Sequence, residues 1–156
     1  MKLAEALLER SDLQKRIDAL RSRIVANASY QEGEEPAEDA SALLVECDKA
    51  LQKLEELVVA INLTNALATT ADGRTITALL GARESLRARH SLLVHAADAA
   101  AGGRMPRQLR SELRQLSALA VPSLRAKADE LAAQLRVLDA QIQRANWEVE
   151  LTHTAN

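Results

Sequence analysis

Apolar residues recur along most of the chain at alternating spacings of three and four, a pattern that predicts long amphipathic helices. The first stripe begins at Leu3 and reaches Ile24, and its helix is expected to end near Ala28. Gly33 and Pro36 follow, and both residues interrupt helical structure. The pattern therefore predicts a first helix that occupies roughly the first 28 residues.

The second helix is expected from about Glu38 to Ala68, with Asp39 or Ser41 as its N-terminal cap. Its main stripe keeps the heptad spacing and consists of Leu44, Cys47, Leu51, Leu54, Val58, Ile61, Asn65 and Ala68. Three further apolar positions, which widen this stripe enough to face two neighbours, are Leu43, Ala50 and Leu57.

The third helix is expected to begin after Thr75, its cap, and to end near Ala101. Its expected core-facing positions are Ile76, Leu79, Leu80, Arg83, Leu86, His90, Leu93 and Ala97. The fourth helix has Pro122 in its first turn and keeps a strict four-three alternation. Its stripe consists of Leu124, Ala128, Leu131, Leu135, Leu138, Ile142, Ala145 and Val149. Such a 3.5-residue repeat predicts coiled-coil-like packing. Residues 104–121 are expected to form a short helix or a partly extended crossover.

Composition supports an all-α fold. Apolar residues make up 47% of the chain but aromatic residues only 1%, so the core consists of Leu, Ala, Ile and Val. Five Gly and three Pro are too few for the turns of a many-stranded β fold. We predict an antiparallel bundle of four long helices in a single domain over residues 1–156.

The apolar stripes also predict self-association. The second and fourth stripes are nearly thirty residues long, more than the connecting segments can cover, so a homo-oligomer is expected. A solvated, Ala-rich face is the alternative. Neither a signal segment nor a membrane-spanning apolar run is apparent, which favours a cytoplasmic protein with a reduced Cys47 and no membrane partner.

Several polar residues occupy apolar stripe positions or interrupt a strong stripe. They are Arg10, Asn62, Asn65, Arg83 and His90. One hypothesis is a polar site inside the bundle in which the two arginines hold an anionic small ligand. The alternative is that these residues only fix the register of the helices, as a single buried polar residue does in coiled coils.

Charge is distributed unevenly, although the net charge is only −2. Seven acidic residues and no Lys or Arg lie between Arg23 and Lys49, whereas ten basic and three acidic residues occur from Arg74 to Lys127. The residues expected to pair between subunits are Glu32, Glu34 and Glu35 on one side and Arg107, Arg110 and Arg114 on the other. This interpretation is preferred to nucleic-acid binding, because aromatic residues for stacking are absent. A cation site in the acidic loop, which we define as residues 31–39, is disfavoured, because the spacing of its carboxylates is not that of an EF-hand.

The sequence gives little support for catalysis. His90 and His95 are five residues apart and lie on different sides of a helix, which is poor geometry for shared metal ligation. No Gly-rich phosphate loop, Gly-x-Ser-x-Gly or His-Glu-x-x-His motif is present. We expect no catalytic residue, no metal and no cofactor. A non-enzymatic protein is favoured, and an enzyme of unfamiliar type is the alternative.

Four segments resemble a family of small bacterial proteins described as septicolysin-like. They are KLAEALLERSDLQKRI, QEGEEPAED, INLTNA and LRVLDAQIQRANWEVEL. The resemblance implies a helical protein of unknown function whose label suggests a thiol-activated pore-forming toxin. The sequence itself does not support pore formation, because it has no apolar segment able to enter lipid.

Overall fold

The computed structural model of the chain describes residues 1–102 and 116–152, and this part contains four α-helices. The helices are α1 (Leu3–Asn27), α2 (Ala40–Leu67), α3 (Ile76–Ala100) and α4 (Val121–Glu148). The predicted fold class, all-α with four long helices, is confirmed. The crossover predicted for residues 104–121 lies mostly outside the described residues; residues 116–120 are described and are not helical.

The loop between α1 and α2 is held by side chains that cap both helices. Asp39 is the N-terminal cap of α2, and its carboxylate accepts hydrogen bonds from the amides of Ser41 (2.8 Å) and Ala42 (3.2 Å). Asn27 donates to the carbonyl of Arg23 at the end of α1 and accepts from the amide of Glu38. These bonds satisfy backbone groups that helix ends otherwise leave without partners.

The chain divides into two compact units, Met1–Ile76 with Ala145–Asn156, and Thr77–Arg144. The single domain over residues 1–156 stays a prediction. In the first unit, α1 and α2 are antiparallel. Three ion pairs show this, because the residue number rises along α1 from one pair to the next while the number of the partner falls from 53 to 38. These ion pairs are Glu9–Lys53, Arg16–Glu46 and Arg23–Glu38.

The core of the first unit corrects the stripe predicted for α2. The buried residues of α2 are Leu43, Ala50, Leu57, Ala60, Ile61 and Thr64. Leu44 and Leu51, which belong to the predicted main stripe, remain 56% and 46% exposed. Ile61 belongs to both sets, but Leu43, Ala50 and Leu57 each lie one residue before the predicted position, which rotates the buried face by 100° around the helix. The positions predicted to flank the stripe, Leu43, Ala50 and Leu57, are therefore the centre of the buried face, and the choice of Leu44 and Leu51 for that centre is wrong.

Residues near the two ends of the chain are paired in this unit. The amide of Leu3 donates to the carbonyl of Val149 (3.0 Å), and the amide of Leu151 donates to the carbonyl of Met1 (2.9 Å). The terminal ammonium and the Lys2 side chain both form ion pairs with Glu150. These contacts lower the pKa of the Glu150 carboxyl below its usual range, chiefly through the hydrogen bond from Lys2.

A tight turn connects α2 to α3. Gly73 has a positive φ of 79°, a conformation that favours glycine. The Asp72 carboxylate accepts hydrogen bonds from the Thr70 hydroxyl and from the Arg74 guanidinium, and these lower its pKa to about 2. Asp72 and Gly73 thus form the turn that precedes α3.

In the second unit, α3 and α4 pack through the predicted stripes. Leu79, Leu138 and Ile142 form a buried cluster against which Leu80 and Leu86 pack. The beginning of α3 therefore contacts the later part of α4. The end of α3 lies beside residues 116–119, which precede α4, so this pair is also antiparallel.

Candidate functional site

Arg10 lies on the core-facing side of α1, in line with the buried residues Ala6 and Leu13. The side chain is only partly buried, but its Nε atom is fully covered and has no hydrogen-bond acceptor. Among the described residues, no carboxylate forms an ion pair with Arg10. Covering a cation without a partner is costly, so this position is energetically unusual.

Neither α1 nor α2 supplies a negative charge to Arg10 in this register. The ion pairs between α1 and α2 place residues 50–54 opposite it, and this segment has no Asp or Glu. On α1, the residues three and four positions away are Ala6, Leu7, Leu13 and Gln14. In this register, the neighbouring residues of α1 and α2 therefore offer Arg10 no acidic partner.

The other polar residues predicted for a bundle site are dispersed within each unit. Asn62 is exposed and Asn65 is partly buried. In an antiparallel pair of this register, Asn65 lies about 20 Å from Arg10 along the helix axes. In the second unit, the side chain of Arg83 is 26% exposed and lies 3.9 Å from Asp139 and 3.3 Å from Glu84. His90 is partly buried, two helical turns further along α3.

Arg10 and Arg83 therefore differ. Arg83 has two carboxylates near its guanidinium, as expected for a partly buried cation that sets how helices pack. Arg10 has none among the described residues. The anion-binding role predicted for the whole set stays a prediction. Arg10 is the member whose covered Nε has no hydrogen-bond acceptor among the described residues.

The acidic loop before α2 carries free negative charge. Glu32, Glu34 and Glu35 are exposed and form no ion pair within the described part of the chain. Glu38 differs, because the Arg23 guanidinium binds its carboxylate and lowers its pKa. The partners predicted for this loop, Arg107, Arg110 and Arg114, lie outside the described residues.

An open groove of about 480 Å³ lies beside this loop. Its lining includes the exposed Tyr30, Pro36 and the capping residue Asp39. Loop carboxylates of Glu35 and Glu38 border the same groove. Its lining combines an exposed aromatic ring with negative charge.

The predicted main stripe of α2 forms an outer apolar face on the first unit. We call it the outer α2 stripe and define it as Leu44, Cys47, Leu51, Leu54 and Val58. Leu44 and Leu51 are exposed, and the other three residues are partly buried. A continuous apolar stripe that the described residues do not fully cover is typical of an interaction surface.

Thr64 and Asn146 are buried polar residues of the described chain that the sequence analysis did not assign to a site. The Thr64 side chain is fully buried; the hydroxyl donates to the carbonyl of Ala60 (2.7 Å) and accepts from the amide of Thr152 (2.9 Å). The Asn62–Asn65 segment indicates a polar feature here. The partner of Thr64 is the chain near residue 152. Asn146, also buried at 9% exposure, gives no comparable signal in the sequence, since it lies beside the apolar stripe of α4.

The described part of the chain lacks a metal-binding cluster and a membrane-spanning helix. Within it, no three His, Cys, Asp or Glu side chains are placed to hold a metal ion. In the same residues, no helix combines the length and the apolar character needed to cross a membrane. Arg10, the acidic loop and the outer α2 stripe are thus the surfaces from which a function can be argued.

The fold and these surfaces define an all-α protein of four long helices in the described residues. Residues 10–151 match the model of a family of unknown function, DUF6847, and the chain belongs to that family. It is also similar to a functionally unknown conserved protein from Corynebacterium diphtheriae, known from a crystal structure. The two are 35% identical with a TM-score of 0.87, over 97% of this chain and 99% of that one. No curated protein matches the sequence.

These comparisons correct the resemblance drawn from the sequence. Both lead to proteins of unknown function, and neither leads to septicolysin-like proteins. The assignment to that group is therefore wrong. The segments that suggested it coincide with structural features of this fold, including the α1 start, the Asp39 cap and the Thr64 contact.

Proposed function

We propose that this protein is a non-enzymatic, cytoplasmic helical module that self-associates and serves as an interaction or scaffold protein. The observation that carries the proposal is the exposure of Leu44 and Leu51 on the outer α2 stripe. Burying apolar surface contributes about 25 cal/mol per Å², so a stripe of this kind favours association.

A second copy of the chain is the partner that best fits this stripe. The spacing of the outer α2 stripe is that of a coiled-coil seam, which needs a facing helix with the same repeat. Two copies of α2 present such a repeat to each other. A two-fold symmetric contact of this type is the commonest way in which soluble proteins form oligomers.

Charge supports the same partner. Residues 31–39 contain five acidic and no basic residues, and three of the glutamates have no ion-pair partner in the described chain. Residues 104–114 contain four arginines and one glutamate. In a second copy, the arginine-rich segment carries the opposite charge and is therefore a suitable partner for the glutamates.

The first experiment measures the mass of the assembly. Native mass spectrometry of the full chain is expected to show a multiple of 17.0 kDa. Leu51→Glu places a charge in the outer α2 stripe and is expected to give a monomer. Leu8→Glu is the matched control, because Leu8 is 60% exposed on α1 and lies outside the stripe. A monomeric wild-type protein, or an assembly unchanged by Leu51→Glu, would refute the proposal.

A charge reversal then tests the electrostatic part. Glu32, Glu34 and Glu35 changed together to Lys are expected to weaken the assembly, and high salt is expected to do the same. Adding Arg107, Arg110 and Arg114 changed to Glu is expected to restore it. A triple Lys variant that assembles like the wild type would remove the charge contacts from the proposal and leave only the stripe.

A further inference from the structure

We infer that the Asp72–Gly73 peptide is a latent isoaspartate site, which the side chains of Thr70 and Arg74 hold in an unreactive geometry. The sequence contains one Asp-Gly pair and no Asn-Gly pair, and the Asp-Gly pair lies in the turn before α3. Glycine has no side chain to hinder an attack by its own amide nitrogen, so this is the peptide bond of the chain most inclined to isomerise. The inference goes beyond the proposed function and does not depend on self-association.

The reaction needs no partner other than water. The Gly73 amide nitrogen attacks Cγ of Asp72, so that an N–Cγ bond forms and a C–O bond of the carboxyl group breaks. The amide proton and the carboxyl OH leave together as one water molecule, and a five-membered succinimide remains. A second water molecule then opens the ring. Opening at Cγ restores aspartate, whereas opening at the main-chain carbonyl leaves the backbone running through Cβ and Cγ as isoaspartate.

The electrophile of this reaction, the Asp72 carboxyl group, is held at both oxygens. The Thr70 hydroxyl donates to Oδ1, and the Arg74 guanidinium donates to Oδ2 through Nε (2.9 Å) and Nη2 (2.6 Å). Bond formation at Cγ changes the position of both oxygens, so these three hydrogen bonds oppose it. They also lower the pKa of the carboxyl to about 2, and an ionised carboxylate is a far poorer electrophile than a neutral carboxylic acid.

The nucleophile is held as well, because the Gly73 amide donates to the carbonyl of Thr70 (2.8 Å). Burial does not protect the turn. The side chains of Asp72 and Arg74 are 42% and 44% exposed, and no other atom lies within 4 Å of the place that a Cβ on Gly73 would take. Water therefore reaches the turn, and its protection rests on the hydrogen bonds.

Isomerisation would lengthen the main chain of this turn by one carbon atom. The turn is closed by a hydrogen bond from the Thr70 amide to the Arg74 carbonyl (2.9 Å) and by a β-bridge between Thr69 and Thr75. An extra carbon between these partners moves them out of register. A chain that carries isoaspartate at position 72 is therefore expected to unfold at a lower Tm.

The test compares the full chain with a synthetic peptide of residues 68–76, which serves as the reference for the unfolded chain. Both are incubated at neutral pH and at one temperature. Isoaspartate is measured by mass spectrometry after digestion with a protease that cleaves before aspartate but not before isoaspartate. The neutral fraction of a carboxyl group changes tenfold for each pH unit by which its pKa changes. A pKa of about 2 in place of 3.8 thus makes the folded chain react at least roughly 60-fold more slowly.

Two variants assign the protection to side chains. Thr70→Val removes the side-chain donor to Oδ1, and Arg74→Gln removes both donors to Oδ2. Each is expected to raise the rate in the folded protein about tenfold, since each removes part of the roughly 60-fold effect. Arg87→Gln is the matched control, because it removes an exposed ion pair with Glu84 on α3 and leaves the turn intact. All proteins are incubated well below their Tm, so that global unfolding does not supply the reaction.

Two results overturn the inference. One is a folded wild-type chain that isomerises at position 72 as fast as the peptide does. The other is a pair of variants, Thr70→Val and Arg74→Gln, that both react at the wild-type rate. If one of them does not fold, the other still decides the question. Self-association is measured separately by mass, so failure of this inference leaves the proposed function intact.

Discussion

At the scale of single residues, Thr64 and Arg10 show two outcomes for a polar side chain on a core-facing helix surface. The Thr64 hydroxyl is fully buried, and it both donates and accepts a hydrogen bond. The Arg10 Nε is covered and has none. Because buried polar groups are nearly always hydrogen-bonded, the fold explains the Thr64 hydroxyl, whereas the covered Arg10 Nε is energetically unfavourable.

Asp72 gives a prediction about pH at this scale. Its carboxyl has a pKa of about 2 in the folded state, below the ordinary value near 3.8, because Thr70 and Arg74 donate to the carboxylate. A lowered folded pKa stabilises the protein above the unfolded value, and the contribution is lost as pH falls toward 2.

We therefore expect the Tm difference between wild type and Asp72→Asn to be largest above about pH 5 and to shrink below about pH 4. Carboxyl chemical shifts measured during an acid titration check the cause. A midpoint for Asp72 near 3.8 would contradict the prediction, since it would mean that the turn contacts do not persist in solution.

At the scale of elements, the helices could be predicted because each carries a long regular stripe and clear end signals. The stripes of α3 and α4 lie at the predicted positions, with Leu79, Leu138 and Ile142 in the core. The main stripe of α2 was misplaced, because two apolar stripes lie one residue apart and periodicity alone does not say which one faces α1. Only the partner helix decides between them.

Two glycines give a matched prediction about backbone conformation. Gly81 lies inside α3 and Gly73 in the turn before it, and a methyl group at either position meets no atom within 4 Å. Gly81→Ala is expected to raise the free energy of unfolding by about 0.5–1 kcal/mol, through higher helix propensity.

Gly73→Ala is expected to lower it by about 1–2 kcal/mol, because φ is +79° there. Urea unfolding of the two variants measures both effects. Since the added methyl group is the same and both sites are open, changes of equal sign would show that backbone conformation is not the deciding factor.

At the scale of the whole molecule, the candidate site was harder to predict than the helices. Arg10 stands out from its sequence alone, because it interrupts an apolar stripe. Its lack of a counter-charge depends on the register between α1 and α2, which the sequence does not state. The role of Thr64 depends on a contact with Thr152, 88 residues away, and no local pattern announces a partner at that distance.

This contact gives the third prediction. Thr64→Val keeps the side-chain shape but leaves the Thr152 amide without an acceptor, and is expected to lower the free energy of unfolding by about 1–3 kcal/mol. Hydrogen exchange at the Thr152 amide is expected to become faster. Thr77→Val is the control, because Thr77 is exposed on α3. Equal losses in the two variants would show that the Thr64–Thr152 bond does not stabilise the chain end.

The pairing of Leu3 with Val149 sets an order of events during protein synthesis. The two residues are 146 positions apart, so at about 5–20 residues per second the ribosome needs roughly 7–30 s to make the partner of Leu3. During that interval the first turn of α1 has no Val149 carbonyl to bind, and the first unit is incomplete. The Leu3 amide is without its acceptor throughout that interval, although Leu3 is fully buried in the finished protein.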